Sequence, residues 1–96
     1  MTLTLQNQLK LLYDLLDEHV IYKSGELTEF TQIKRLVQGI VSHEEIQDTE
    51  LANFLPTIYN YGIEGEKVQC DIEHISSYEE EIYNWKNAIE KLTVSV

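Results

Sequence analysis

The stretch Cys70-Asp71-Ile72-Glu73-His74 is where this chain comes nearest to chemistry. Cysteine, histidine and carboxylates ligate transition metals, and a thiolate is also a nucleophile. Cys70 and His74 lie four residues apart and Asp71 and His74 three apart, so on a helix each pair would share a face. The other two histidines also sit beside carboxylates, in Asp17-Glu18-His19 and His43-Glu44-Glu45. Neighbours in a helix point about 100° apart, so adjacency alone makes no chelate.

A di-metal helical site places a Glu three residues before a His on each of two helices. Leu16 and Ile40 hold those places before His19 and His43, and only Asp71 before His74 approaches the pattern. A zinc site built from Cys and His ligands would need Cys70, His19, His43 and His74 together, which requires three helices to converge on one point. The expectation is therefore no metal and no cofactor, with the histidines partly exposed at helix ends. A helix dipole would activate Cys70, but Glu66, Asp71 and Glu73 surround it with opposing charge, and no CxxC partner exists. It reads as a structural cysteine, with Asp71 the N-cap or first-turn acid of the last helix.

Acid–base catalysis needs paired carboxylates in a pocket. The run Glu79-Glu80-Glu81 instead flanks an apolar stripe and reads as a solvated face. The glycines are too few and wrongly spaced for a phosphate loop. No catalytic residue is expected, and the chain is not expected to be an enzyme.

The elements that would position these residues follow from apolar periodicity. Leu5, Leu9, Leu12, Leu16 and Val20 form a stripe broadened by Leu11, Tyr13 and Leu15, with Thr4 as N-cap. Its breadth predicts a helix buried on more than one side, at the centre of the packing. After a break at Gly25, Leu27, Phe30, Ile33, Val37, Ile40 and Val41 share a face, capped by Ser24 or Thr28. Glu29, Gln32, Lys34 and Arg35 lie opposite and should be solvated. A third segment puts Leu51, Phe54, Leu55, Ile58 and Tyr59 on one side, with Gly62 as C-terminal cap and Gly65 in a loop. Pro56 lacks an N–H and crowds the preceding turn, which predicts a short, kinked or split helix there. Ile72, Ile75, Tyr78, Ile82, Trp85, Ile89 and Leu92 then form a heptad-spaced seam. No strand alternation or internal repeat is seen. The fold class expected is all-α: a compact antiparallel four-helix up-and-down bundle in a single domain over residues 1–96, with a three-helix core as the alternative.

Bulk properties bound the function. Seven basic and seventeen acidic residues among 96 give a net charge of −10. Phosphate backbones and anionic lipid surfaces are bound through Lys and Arg, so neither nucleic acid nor membrane is an expected partner. A single cysteine forms no internal disulfide, and the Gln- and Asn-containing N-terminal stretch lacks a basic leader, so a cytoplasmic location is expected. Aromatic residues concentrate in the second half, and interfaces favour such rings. Tyr83, Glu79, Glu80 and Tyr61 are the candidate interaction surface.

The blocks "NQLKLLYDLLDEH", "EFTQIKRLV", "IYNYG" and "YEEEIYNWKNAIE" resemble the YtzH-like family of small proteins from Bacillus and relatives. The resemblance spans nearly the whole chain and implies a cytosolic bacillar protein. It carries over no functional residue. Some members have cysteines before the glycine of the first break, where this chain has Tyr22, Lys23 and Ser24. The function expected is a non-enzymatic module that binds another protein or a second copy of itself. An acidic mimic of nucleic acid acting on a basic protein is the alternative, and a metal-dependent enzyme the remote one.

Overall fold

Thr4 opens the first helix as its hydroxyl suggests, Oγ1 accepting the Asn7 backbone N–H at 3.2 Å. The computed structural model describes residues 4–22, 26–68 and 72–93. The expectations placed on Ser24, Gly25, Cys70 and Asp71 lie outside these residues, as does the side chain of Ile72. The chain is all-α: α1 (Leu5–Tyr22), α2 (Leu27–Val41), a short 3-10 helix (Glu44–Ile46), α3 (Glu50–Val68), α4 (Ile72–Ser77) and α5 (Glu79–Thr93). No strand occurs among the described residues.

Thr28 does not open α2 but lies within it. Glu26 is its N-cap and forms a capping box with Glu29, whose Oε1 accepts the Glu26 backbone N–H at 2.8 Å. A carboxylate suits the positive end of the helix dipole as well as a hydroxyl does. The buried face of α2 is Phe30, Ile33, Leu36, Val37 and Ile40, while Leu27 and Val41 are left exposed at its two ends.

The largest departure from expectation is α3. It is neither short nor split at Pro56, and Gly62 and Gly65 neither cap it nor form a loop; it is the longest helix, at 19 residues, and contains all three. Pro56 faces solvent, where the Ala52 carbonyl that loses its helical partner can be hydrated. The glycines serve packing. A β-carbon on Gly65 would run into the Phe30 ring, and one on Gly62 would lie 2.7 Å from Lys34 Cγ and 3.1 Å from the Phe30 carbonyl. α2 and α3 accordingly make the most extensive helix contact in the molecule.

The C-terminal seam is also divided. Tyr78 is a turn between α4 and α5 rather than part of one continuous helix. Ile75, Ile82, Trp85, Ala88 and Ile89 are nevertheless buried, so the heptad spacing survives the break. α1 packs on α2, α4 and α5, as its broad stripe predicts. Leu9, Leu12 and Leu16 on α1 and Leu51, Leu55 and Ile58 on α3 complete one connected core, which the 3-10 helix closes with Ile46. The radius of gyration is 12.5 Å, close to the roughly 13 Å of a compact 100-residue chain.

Gly65→Ala is expected to destabilise the protein. Overpacking costs about 1–3 kcal/mol, against a gain of at most about 1 kcal/mol from better helix propensity. Thermal unfolding followed by circular dichroism should show a lower Tm, and a raised Tm would refute the close approach.

Candidate functional site

The spacing that buries Leu9, Leu12 and Leu16 continues to His19, three residues on, and carries an imidazole into the core. Likewise Leu55 and Ile58 are followed by Tyr61 on the inner face of α3. Both side chains are fully buried, which corrects two expectations. His19 is not exposed at a helix end, and Tyr61 lies in the core rather than at the surface. The signal was present in the sequence as unbroken three-and-four spacing, overridden by the polar character of the two residues.

His19 Nδ1 lies 2.8 Å from Tyr61 Oη. Nε2 faces Glu29 Oε1 at 3.6 Å, beyond hydrogen-bond reach, and has no other partner. Desolvation holds the imidazole below its usual pKa, partly opposed by the Glu29 carboxylate, while His74 lowers it further. The ring is therefore neutral near pH 7. The facing carboxylate favours the proton on Nε2, which leaves Nδ1 to accept from the Tyr61 hydroxyl. Burial, and secondarily Glu29, pushes the Tyr61 phenol well above its usual range, so it remains a donor at every physiological pH. Glu29, expected to be solvated, is instead half-buried against this group.

His74 approaches Tyr61 from the other side. Its Nε2 donates to the Tyr61 backbone carbonyl at 3.1 Å, and its ring stacks on the phenol with centroids 4.9 Å apart and planes inclined by 13°. Phe30, Tyr78 and Trp85 present edges to the same phenol at 5.5, 5.2 and 5.6 Å. Each such aromatic pair is worth about 0.5–1.5 kcal/mol beyond its buried area. One tyrosine thus joins α1, α2, α3, α4 and α5.

A second polar group ties α1 to α5. Tyr13 Oη donates to Glu90 at 2.6 Å, and that bond is the main reason its phenol is pushed up to about 12. Lys86 Nζ lies 2.6 Å from Asp17 and 5.3 Å from the ring centroids of both Tyr13 and Tyr83. Tyr83 is half-exposed, Glu80 exposed and Glu79 half-buried, and with Ser76 and Ser77 they line an open depression. His43 is remote from the aromatic cluster, its Nε2 lying 3.1 Å from Gln8 Oε1. Of the potential zinc ligands, only His19 and His74 therefore share a neighbourhood, and Cys70 lies outside the described residues. No group of three or more His, Cys, Asp or Glu side chains among the described residues is placed to hold a metal. No helix among them is long and apolar enough to cross a membrane.

The fold and the buried cluster define a small all-α protein with a histidine–tyrosine pair buried in its core. The chain belongs to the YtzH-like family: the family model described as YtzH-like protein matches residues 3–89. It is 26% identical over 85 residues to the uncharacterized protein YtzH of Bacillus subtilis (strain 168), covering 88% of this chain and 91% of that one. No solved structure matches the chain.

Tyr61→Phe removes the hydrogen bond that the Tyr61 hydroxyl makes to the His19 ring and leaves Nδ1 buried without that partner. The expected loss is about 1–3 kcal/mol. In a His19→Leu background the same change should cost less, and a double-mutant cycle by chemical denaturation measures the difference. Equal costs in both backgrounds would show that the bond contributes nothing.

Proposed function

We propose that this protein is a non-enzymatic interaction module that docks an apolar segment of another protein on one pole of a four-helix up-and-down bundle. The cross-helix pairs support the bundle. Gln6–Leu92, Tyr13–Glu90 and Asp17–Lys86 run in inverse order along α1 and α5. Thr31–Glu66 and Gln38–Tyr59 do so along α2 and α3, and His19–Glu29 with Gln8–His43, just beyond the end of α2, do so for α1 and α2. α4 and α5 then act as one broken fourth helix.

The observation that carries the proposal is where four of the six large exposed apolar side chains fall, Val41 and Tyr83 lying elsewhere. Ile21 and Tyr22 end α1, Leu27 starts α2 and Val68 ends α3, with exposures of 60%, 70%, 50% and 43%. The inverse pairing of these helices puts all of those ends at one pole. A cluster of that kind on so small a protein is a docking signature. The protein's charge of −10 selects against nucleic acid and against a second acidic copy of itself. A partner with an apolar anchor and a basic rim fits best. The non-enzymatic reading is supported by the inaccessibility of His19 and Tyr61, since no substrate could reach either side chain in the closed fold.

Affinity capture from a bacillar lysate, followed by reconstitution with the purified partner, tests the proposal. The double variant Tyr22→Ser/Leu27→Ser should keep the wild-type Tm to within a few degrees, because both sites are exposed. It should lose the complex, whereas Glu80→Gln/Glu81→Gln should retain it. The opposite pattern, with binding that collapses between low and moderate salt, would replace this proposal with an acidic mimic of nucleic acid. A protein that captures nothing at either salt concentration would overturn both.

A further inference from the structure

We infer that His19 is an acid-sensitive latch: taking a proton there releases α4 and uncovers the aromatic cluster beneath it. The inference is independent of the docking pole. It rests on three geometric facts. His19 is fully buried, and its Nε2 is a polar atom with no hydrogen-bond partner. Its Nδ1 is the acceptor for the phenol on which α4 rests. Finally, α4 is six residues long, far below the length at which a helix holds itself together, so only its contacts keep it in place.

Every element packed around His19 bears on the outcome. From α2 comes Glu29, the carboxylate facing it among the described residues, whose Oε1 already accepts the Glu26 N–H. From α3 comes Tyr61, which remains protonated, and from α4 comes His74, an imidazole that repels a charged His19 across the phenol. α5 contributes Trp85 to the cluster, which does not titrate. A proton on Nδ1 turns that nitrogen into a donor to Tyr61 Oη, so the phenol O–H loses its acceptor and has to turn into a dry core. The new cation sits in a dry site with a single carboxylate 3.6 Å away. His74 stacks directly on the phenol whose hydroxyl is left without an acceptor, and the short α4 is the helix around His19 held by the fewest residues.

The direction in pH follows from the lowered pKa. The unfolded or opened chain, with an imidazole near its ordinary value of 6.5, takes the proton before the closed form does. The closed form is therefore fully favoured above that value. It loses ground as pH falls from there toward the folded pKa, by up to about tenfold in the opening equilibrium per pH unit.

The single tryptophan makes the event visible, because Trp85 touches both Tyr61 and Tyr78. Acrylamide quenching of the full chain should rise severalfold between pH 7.5 and pH 5.0, with far-UV circular dichroism nearly unchanged. His19→Gln keeps an acceptor for Tyr61 but binds no proton, and should flatten the response. His43→Gln, remote from the cluster, should keep it. If His19→Gln does not fold, imidazole NMR titration of the wild type decides: the His19 resonances should titrate together with Trp85 exposure and with faster amide exchange in α4. A Trp85 that stays shielded at pH 5.0, a His19 that titrates without exposing it, an unchanged response in a folded His19→Gln, or helicity lost in the same transition would each overturn the inference.

Discussion

Where Gly65 lacks a β-carbon, the Phe30 ring rests directly on the backbone of α3, and the rest of the core is arranged around that approach. With α2 and α3 this close, Tyr61 has room only inward. There it meets His19 from α1, His74 from α4 and Trp85 from α5. A bulkier residue at position 65 would push the helices apart and loosen every ring contact that follows. The glycines of α3 are thus packing residues, and the helix-propensity penalty they carry is offset by the area that the close approach buries.

A polar pair at the centre of a small core is a demanding arrangement. Each buried polar atom without a partner costs about 1–3 kcal/mol, and His19 retains one such atom in Nε2. Two leucines in these positions would avoid that cost. The imidazole and phenol give a core that reports on pH and whose geometry is directional, because a hydrogen bond constrains orientation where apolar contact does not. The surface shows a different division of labour. Lys86 is held by Asp17, Tyr13 and Tyr83, and Lys34 by Glu66, so basic side chains tie helices together on a protein dominated by carboxylates.

Much of this was legible from residues alone. The apolar stripes of α1 and α5 were read correctly, as was the N-cap at Thr4, because local periodicity and capping depend only on neighbours in the chain. Gly62 was misread as a helix end and Gly65 as part of a loop, since glycine marks both helix stops and close helix contacts, and only the partner surface distinguishes them. The short or split helix expected at Pro56 failed for a related reason: an exposed proline costs a helix one hydrogen bond, which packing on both sides of it can outweigh.

Of the candidate surface, Tyr83 and Glu80 were placed correctly in solvent and Tyr61 was not. Polarity argued for exposure, yet a tyrosine hydroxyl and an imidazole nitrogen satisfy each other when two helices bring together residues forty-two apart in the chain. By itself the sequence determined that the chain is all-helical, acidic and free of recognisable catalytic motifs, because composition and period are local properties. Only the tertiary structure decided which polar residues are buried, which apolar ones are exposed, and that His19, Tyr61 and His74 form one group. Those outcomes depend on the distance between helices, and that distance was set by a ring resting on a glycine.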